Sequence, residues 1–262
     1  MRFILLSLTG SIILFTLGSC MGTPQSKEVS SSTSRPDSVN QKDGLATLVL
    51  REDILMSASL DSIGLSRLTP ESILDTLMNG NHHFASTRLT IRNNSQRVRH
   101  AAQSHYPMAI ILSCMDSRLP VEDIFHRGSG DLFVLRVAGN VVDNDMLGSM
   151  EYGCKFVGTR LIMVLGHENC GVVKSAINDV NHGNLTPLLS KIQPAVNLIS
   201  KEFDGEKEHT NPDFVKEVCH QNVLNNMESI RKSPFLRELE ETGKLKIVGA
   251  VYDTDTGKVV IL

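Results

Sequence analysis

The sequence predicts an α/β fold: a mixed, mostly parallel sheet flanked by helices, with a C-terminal antiparallel hairpin strand. Short apolar runs at Met108–Ser113, Leu132–Val137 and Arg160–Gly166 have the length of buried strands. Segments with helical spacing of apolar residues separate these runs, which is typical of parallel strands joined by helices. Near the C-terminus, the turn Asp253–Gly257 lies between two further apolar runs, which indicates a hairpin.

The composition is that of a globular protein with enough length to bury a core. The chain has 262 residues, of which 41% are hydrophobic and 21% charged, and its formal net charge is −3. This length suits one domain. The chain has no block of basic residues and no Trp. It therefore lacks the electrostatic footprint of a nucleic-acid-binding protein.

The first 44 residues are expected to lie outside the folded domain. Residues 1–19 combine one Arg, a long apolar run and small residues, which indicates a secretory signal peptide. The run Leu17-Gly18-Ser19-Cys20 resembles a bacterial lipobox, which implies cleavage before Cys20 and acylation of that residue. The alternative is a plain signal peptide with an incidental Cys. Residues 20–44 are polar, so we expect a lipidated Cys followed by a flexible tether. The protein would then be exported and anchored to a membrane, on the periplasmic or cell-surface side.

Residues 45–262 are predicted to form a single domain with an N-terminal helical arm. Thr69-Pro70 is a helix start, because an N-cap hydroxyl is followed by Pro in the first turn. Apolar spacing indicates more helices, one of them with Phe156 toward the core and one bent at Pro194. These helices are expected at Asn144–Val157, Leu188–Ile199 and Pro212–Ile230.

Two short motifs directly follow predicted strands. Cys114-Met115-Asp116-Ser117-Arg118 follows the first strand, and His167-Glu168-Asn169-Cys170-Gly171 follows the third. In an open α/β sheet, ligand sites form outside the carboxyl ends of the strands. Two thiolates and one imidazole, from Cys114, Cys170 and His167, are preferred zinc ligands, and three protein ligands leave a fourth position for chemistry. The alternative is buried cysteine without any metal.

Asp116 and Arg118 lie just past the end of the first strand, where both side chains can face one cleft. In one interpretation they are an ordinary surface ion pair, which contributes little to stability. In the other, Arg118 orients the Asp116 carboxylate beside a metal-bound water. Asp116 could also bind the metal itself when that water is absent.

Together these motifs resemble the zinc signature of the β-class carbonic anhydrases. The run Asp131–Asn140 resembles the second strand of that family with the loop after it, and Gly148–Tyr152 resembles the following helix. The resemblance extends over roughly residues 67–260. It implies one Zn2+ per subunit, reversible hydration of carbon dioxide to bicarbonate and a proton, and a homodimer or homotetramer. Many members of the family carry Gln at the position of His105, whose role here is open.

The resemblance and the charges together predict a mechanism. Zinc lowers the pKa of its bound water and supplies hydroxide near neutral pH, and Asp116, oriented by Arg118, assists as a hydrogen-bond acceptor. The resemblance implies that Asp116 can also become the fourth zinc ligand. Two alternatives are a hydrolase of carbon disulfide or carbonyl sulfide built on the same site, and a non-catalytic surface protein stabilised by zinc. The other thiols, Cys154 and Cys219, are predicted to be buried and free on helices.

Overall fold

The computed structural model describes residues 59–88 and 90–262. The predictions for residues 1–44, namely the signal peptide, the lipid anchor at Cys20 and the tether, lie outside these residues, as does the first part of the predicted arm. Within the described part, no helix is both long and apolar enough to cross a lipid bilayer. The helices are α1 (Ser62–Ser66), α2 (Pro70–Ala85), α3 (Asn94–Ala101), α4 (Val121–Ile124), α5 (Asn144–Tyr152), α6 (Gly171–Ile177), α7 (Leu185–Leu189), α8 (Gln193–Glu202), α9 (Pro212–Arg231) and α10 (Pro234–Glu241). The strands are β1 (Ala109–Ser113), β2 (Leu132–Arg136), β3 (Leu161–His167), β4 (Lys246–Tyr252) and β5 (Val259–Ile261).

The strands form one mixed sheet in the order β2-β1-β3-β4-β5. Strands β1 to β4 are parallel to one another, and β5 pairs antiparallel with β4. This topology confirms the predicted fold class and its C-terminal hairpin strand. Strands β1 and β3 are adjacent, with Ser113 opposite Leu165. The residues that follow these two strands therefore meet at one edge of the sheet.

Helices cover both faces of the sheet, and this arrangement explains why the central strands are buried along their whole length. Every residue of β1 and of β3 is buried, as expected for parallel strands packed on both sides. Side chains alternate between the faces along a strand. Ile111 and Met163 thus pack toward α2, α6 and α8, whereas Ile110 and Val164 pack toward α5, α10 and the second half of α9.

Three helical segments differ from the sequence-based prediction. The single bent helix at Leu188–Ile199 is instead two helices, α7 and α8, and Pro194 lies in the first turn of α8, where its missing N–H is tolerated. Helix α5 continues as a π-helical turn, Gly153–Val157, which leaves Phe156 72% exposed rather than in the core. Helix α10 has no counterpart among the predicted helices, although Ser233 caps it and Pro234 begins it.

Candidate metal centre

Local structure brings both motifs to the carboxyl edge of the sheet. Cys114 directly follows β1, and His167 is the last residue of β3. Asn169 has a φ of 54°, in the left-handed region that Asn tolerates better than most residues. The chain turns there, and Cys170 becomes the N-cap of α6. One turn thus presents both His167 and Cys170 to the end of β1.

The three donor side chains converge. The sulfurs of Cys114 and Cys170 and a ring nitrogen of His167 all lie within 4.8 Å of one another, and all three residues are buried. Among the described residues, these three form the one cluster of at least three His, Cys, Asp or Glu side chains that could hold a metal ion. Two sulfurs and one imidazole nitrogen are a donor set that suits Zn2+.

The orientation of His167 fits a metal ligand. Its Nδ1 lies 2.9 Å from the carbonyl oxygen of Glu168, and donation to that acceptor leaves the lone pair of Nε2 free. Nε2 is buried and has no hydrogen-bond partner. A buried polar atom without a partner costs free energy, and a bound cation would remove that cost. The hydrogen bond at Nδ1 also fixes the orientation of the ring, as is usual for metal-binding histidines.

Cys114 and Cys170 shift each other's pKa in opposite directions. The hydrogen bond from Cys170 lowers the pKa of Cys114 to about 4, against the effect of burial, and the Gly139 N–H, 3.4 Å from Cys114 Sγ, acts in the same direction. The pKa of Cys170 is raised, because its thiol donates that bond and is buried. Both cysteines are free. A bound metal would take both sulfurs as thiolates, with release of any proton that they carry.

Arg118 binds the Asp116 carboxylate through two parallel hydrogen bonds. Nε donates to Oδ1 at 2.9 Å and Nη2 donates to Oδ2 at 2.8 Å, and the backbone N–H of Arg118 also donates to Oδ1 at 3.0 Å. The Arg118 guanidinium holds the pKa of Asp116 far below its usual range. Oδ2 lies 3.9 Å from His167 Nε2. In this structure Asp116 therefore lies beside the three metal-binding residues and is hydrogen-bonded to Arg118.

The chain is similar to known proteins in sequence and in fold. Residues 109–259, more than half of the chain, match the family model described as carbonic anhydrase. The chain belongs to the carbonic anhydrase family. "Carbonic anhydrase 2" of Mycobacterium tuberculosis is 34% identical over 200 residues, which are 73% of this chain and 92% of that protein. A protein named "Carbon disulfide hydrolase" of Acidithiobacillus thiooxidans is 30% identical over 125 residues, 41% of this chain and 58% of that protein.

A solved structure shows the same fold. One of two β-carbonic anhydrases of Sordaria macrospora, described as tetrameric, superposes with a TM-score of 0.58 at 23% identity, over 73% of this chain and 92% of that chain. The chain therefore has the fold of a solved β-carbonic anhydrase. The protein is an enzyme of the carbonic anhydrase type.

Arg136 is a residue of this carbonic anhydrase site that sequence reasoning missed. It ends β2, and its Nη2 donates to the Asp116 carbonyl at 2.6 Å while Nε donates to the Cys114 carbonyl at 3.1 Å. These bonds fasten the Cys114–Asp116 loop to the neighbouring strand. Its one sequence signal is an Arg at the carboxyl end of the second predicted strand.

A cleft of about 490 Å3 opens over the carbonic anhydrase centre and is lined by both motifs. Met115, which is 63% exposed, and Val172 give it an apolar side, while Asp116 and Arg118 give it a charged side. His105 does not line this cleft. Its ring packs edge to face on Phe133, with the ring centroids 5.8 Å apart.

Proposed function

We propose that the protein catalyses the reversible hydration of carbon dioxide to bicarbonate and a proton, with one Zn2+ bound by Cys114, His167 and Cys170. The observation that carries this proposal is the convergence of a His167 ring nitrogen and two cysteine sulfurs within 4.8 Å of one another, with His167 Nε2 buried and without a hydrogen-bond partner. When bound, Zn2+ acts as a Lewis acid that lowers the pKa of a water ligand toward neutrality. The family and the 34% identity to "Carbonic anhydrase 2" support the same reaction.

Asp116 is proposed to orient the attacking group. Because Arg118 keeps the pKa of Asp116 far below neutral, the carboxylate is ionised and can only accept hydrogen bonds. Beside the three metal-binding residues, Asp116 therefore favours an attacking group that can donate a hydrogen bond to it. The two bonds from Arg118 fix both oxygens in place. Asp116 can become a metal ligand itself only by giving up this bidentate pairing, and we propose that this exchange closes the site.

Carbon dioxide has no net charge, so its binding depends on apolar surface beside the reactive centre. Met115 and Val172 supply such a surface in the cleft. Bicarbonate, the charged product, meets Arg118, whose side chain is 50% exposed. An apolar wall for the substrate and an exposed cation for the product suit both directions of the reaction.

We also propose a homodimer or homotetramer that is tethered to a membrane through lipidated Cys20. The Sordaria macrospora enzymes, which are described as tetrameric, support an oligomer. The exposed aromatic rings of Tyr152 and Phe156 provide apolar surface for contacts between subunits. Sedimentation analysis tests the assembly, and radiolabelled fatty acid incorporation in wild type against Cys20→Ser tests the anchor.

The central experiment is stopped-flow carbon dioxide hydration by Asp116→Ala, with metal analysis of the same sample. We expect one zinc per subunit and a loss of kcat/KM of at least about 100-fold, in the range for removal of a positioned proton acceptor. Asp204→Ala, which changes an exposed Asp in the loop after α8, is the matched control and should retain wild-type activity. Full activity in zinc-loaded Asp116→Ala would rule out the proposed role of Asp116.

Hydrolysis of carbon disulfide is a second candidate, favoured by the 30% identity to "Carbon disulfide hydrolase". The zinc-loaded wild type should be assayed for sulfide release beside the hydration assay. Sulfide release without carbon dioxide hydration would replace the proposed reaction. Bound zinc with neither activity would favour the non-catalytic surface protein.

A further inference from the structure

Helix α9 holds the turn after β2 at two points. Asn222 Nδ2 donates to the carbonyl of Gly139 at 2.9 Å, and Asn226 Oδ1 accepts from the N–H of Val142 at 2.7 Å. Asn226 Nδ2 also donates to Asn222 Oδ1 at 3.2 Å. Both side chains are buried, with 1% and 6% of their surface exposed. We call this pair of residues, Asn222 and Asn226, the amide clamp.

The turn held by the amide clamp has a backbone that needs support. Gly139 has a φ of 70° and Asn140 a φ of 44°, so two successive residues are left-handed. For a residue other than Gly, such a conformation is strained and persists only where surrounding contacts enforce it. Gly suits the first position, because a side chain at a φ of 70° is strained, and a Cβ there would also lie 2.7 Å from Ile192 Cδ1.

The same turn reaches the metal centre. The Gly139 N–H donates to Cys114 Sγ at 3.4 Å, in a buried setting. Asn222 of the amide clamp donates to the carbonyl of Gly139, while the N–H of Gly139 donates to the Cys114 sulfur. The two groups flank the Cα of Gly139, so its φ and ψ relate the carbonyl held by Asn222 to the N–H that reaches the sulfur.

We propose that the amide clamp is a positioning device for Cys114. By holding the Gly139 N–H against the sulfur, Asn222 and Asn226 set the orientation of Cys114 and the charge that its thiolate donates to a metal. Partners beyond the direct ligands orient those ligands and tune the metal. Neither Asn touches a donor atom, so both act through Gly139. The inference rests on the proposed function only in that it takes Cys114 as a metal ligand.

The test uses the full chain with Co2+ in place of Zn2+. The position of the thiolate-to-cobalt charge-transfer band reports the donor strength of the sulfurs, and chelator competition gives the zinc affinity. In Asn222→Ala the Gly139 N–H is no longer held against the sulfur, so the thiolate becomes a stronger donor and the band should move to longer wavelength. Because Cys114 is then less well oriented, zinc affinity should fall about 10-fold. Asn226→Ala should give smaller changes in the same direction.

The matched control is Asn225→Ala. Asn225 lies on the same helix, but its side chain accepts from Gln221 at 2.8 Å rather than facing the turn. This variant should keep the wild-type band and affinity. Asn222→Leu, which fills a similar volume without a donor, is the second test variant if Asn222→Ala does not fold.

The outcomes separate the two proposals. A folded Asn222 variant with the wild-type band and zinc affinity, even one with a lower melting temperature, would reduce the amide clamp to a structural contact and overturn the inference. The same changes in Asn225→Ala would also overturn it. A wild type that shows no thiolate band with Co2+ would instead overturn the proposed metal site.

Discussion

Two Asp–Arg pairs stand at opposite ends of the sheet and differ chiefly in burial. Asp116 and Arg118 follow β1 at its carboxyl end, and their side chains are 19% and 50% exposed. Asp131 and Arg97 pair just before β2, at its amino end, and their side chains are 6% and 1% exposed. The two pairs are chemically alike, so their different surroundings should separate their roles.

The buried pair is fastened on both sides. Asp131 Oδ2 accepts from the N–H of Gly128 at 2.9 Å, and Arg97 Nη2 donates to the Ser129 carbonyl at 3.3 Å. A buried charge that loses its counter-ion cannot be solvated, so breaking such a pair is costly. An exposed pair is solvated with or without its partner and contributes about 0–1 kcal/mol. We therefore expect the Asp131–Arg97 pair to control stability and the Asp116–Arg118 pair to control reactivity.

The largest effect is expected from Asp131→Ala. Arg97 would stay buried after losing its ion pair with Asp131, so the free energy of unfolding should fall by about 3–5 kcal/mol. Urea denaturation measures this loss. The folded fraction should keep its zinc, because the change is at the opposite end of the sheet from the metal centre.

A double variant sharpens this expectation. Arg97→Met with Asp131→Leu removes both charges and leaves apolar side chains of similar volume, so most of the lost stability should return. If the double variant is as unstable as Asp131→Ala, the buried charge of Arg97 is not the cause of the lost stability.

Arg118→Lys should invert the pattern. Lys keeps the positive charge but cannot make the two parallel bonds to the carboxylate, so Asp116 is no longer fixed. We expect carbon dioxide hydration to fall roughly 10- to 100-fold, while the free energy of unfolding changes by less than about 1 kcal/mol. A large loss of stability with unchanged activity would contradict the comparison.

A third carboxylate extends the comparison to a solvated helix end. Asp143 is the N-cap of α5, its side chain is 39% exposed, and its Oδ1 accepts from the Met146 N–H at 3.0 Å. Asp143→Ala should lower the free energy of unfolding by about 1 kcal/mol, the usual cost of losing a cap. Thermal or urea unfolding checks this value. Asp143→Asn keeps a cap of the same shape and is the control, with a smaller expected loss.

The smallest effect is a pH dependence at the same cap. The hydrogen bond from the Met146 N–H, with the charge of Lys191, lowers the pKa of Asp143. A lowered pKa means that the ionised group stabilises the fold above its ordinary pKa of about 3.9, and that this contribution is lost as the pH falls through the folded value. The difference in unfolding free energy between wild type and Asp143→Asn should therefore shrink from about pH 6 to about pH 3. A difference that stays constant over this range would exclude the ionised cap as its source.

The features that the sequence predicted well have local causes. Strands β1 and β3 are continuous apolar runs, and α2 begins at Thr69-Pro70, where the Thr69 hydroxyl accepts from the Ser72 N–H at 3.1 Å. The prediction failed for Phe156, because apolar spacing does not reveal that the helix widens into a π-turn at Gly153. Residues whose partners are remote could not be predicted at all. Arg136 is hydrogen-bonded to a residue 22 positions away in the sequence. The partners of Asn222 and Asn226 in the turn after β2 are 83 and 84 positions away.

The sequence by itself determined which donors stand at strand ends, because Cys114, His167 and Cys170 follow apolar runs that can only be buried strands. It also placed Asp116 and Arg118 within reach of each other, since they are two residues apart. Only the tertiary structure decided that β1 and β3 are neighbours, which joins groups separated by 52 residues. It also decided which nitrogen of His167 is free, and that α9 reaches the turn beside Cys114. Strand order and ring orientation depend on the packing of whole layers and on bonds to distant backbone, and no local run of residues encodes these.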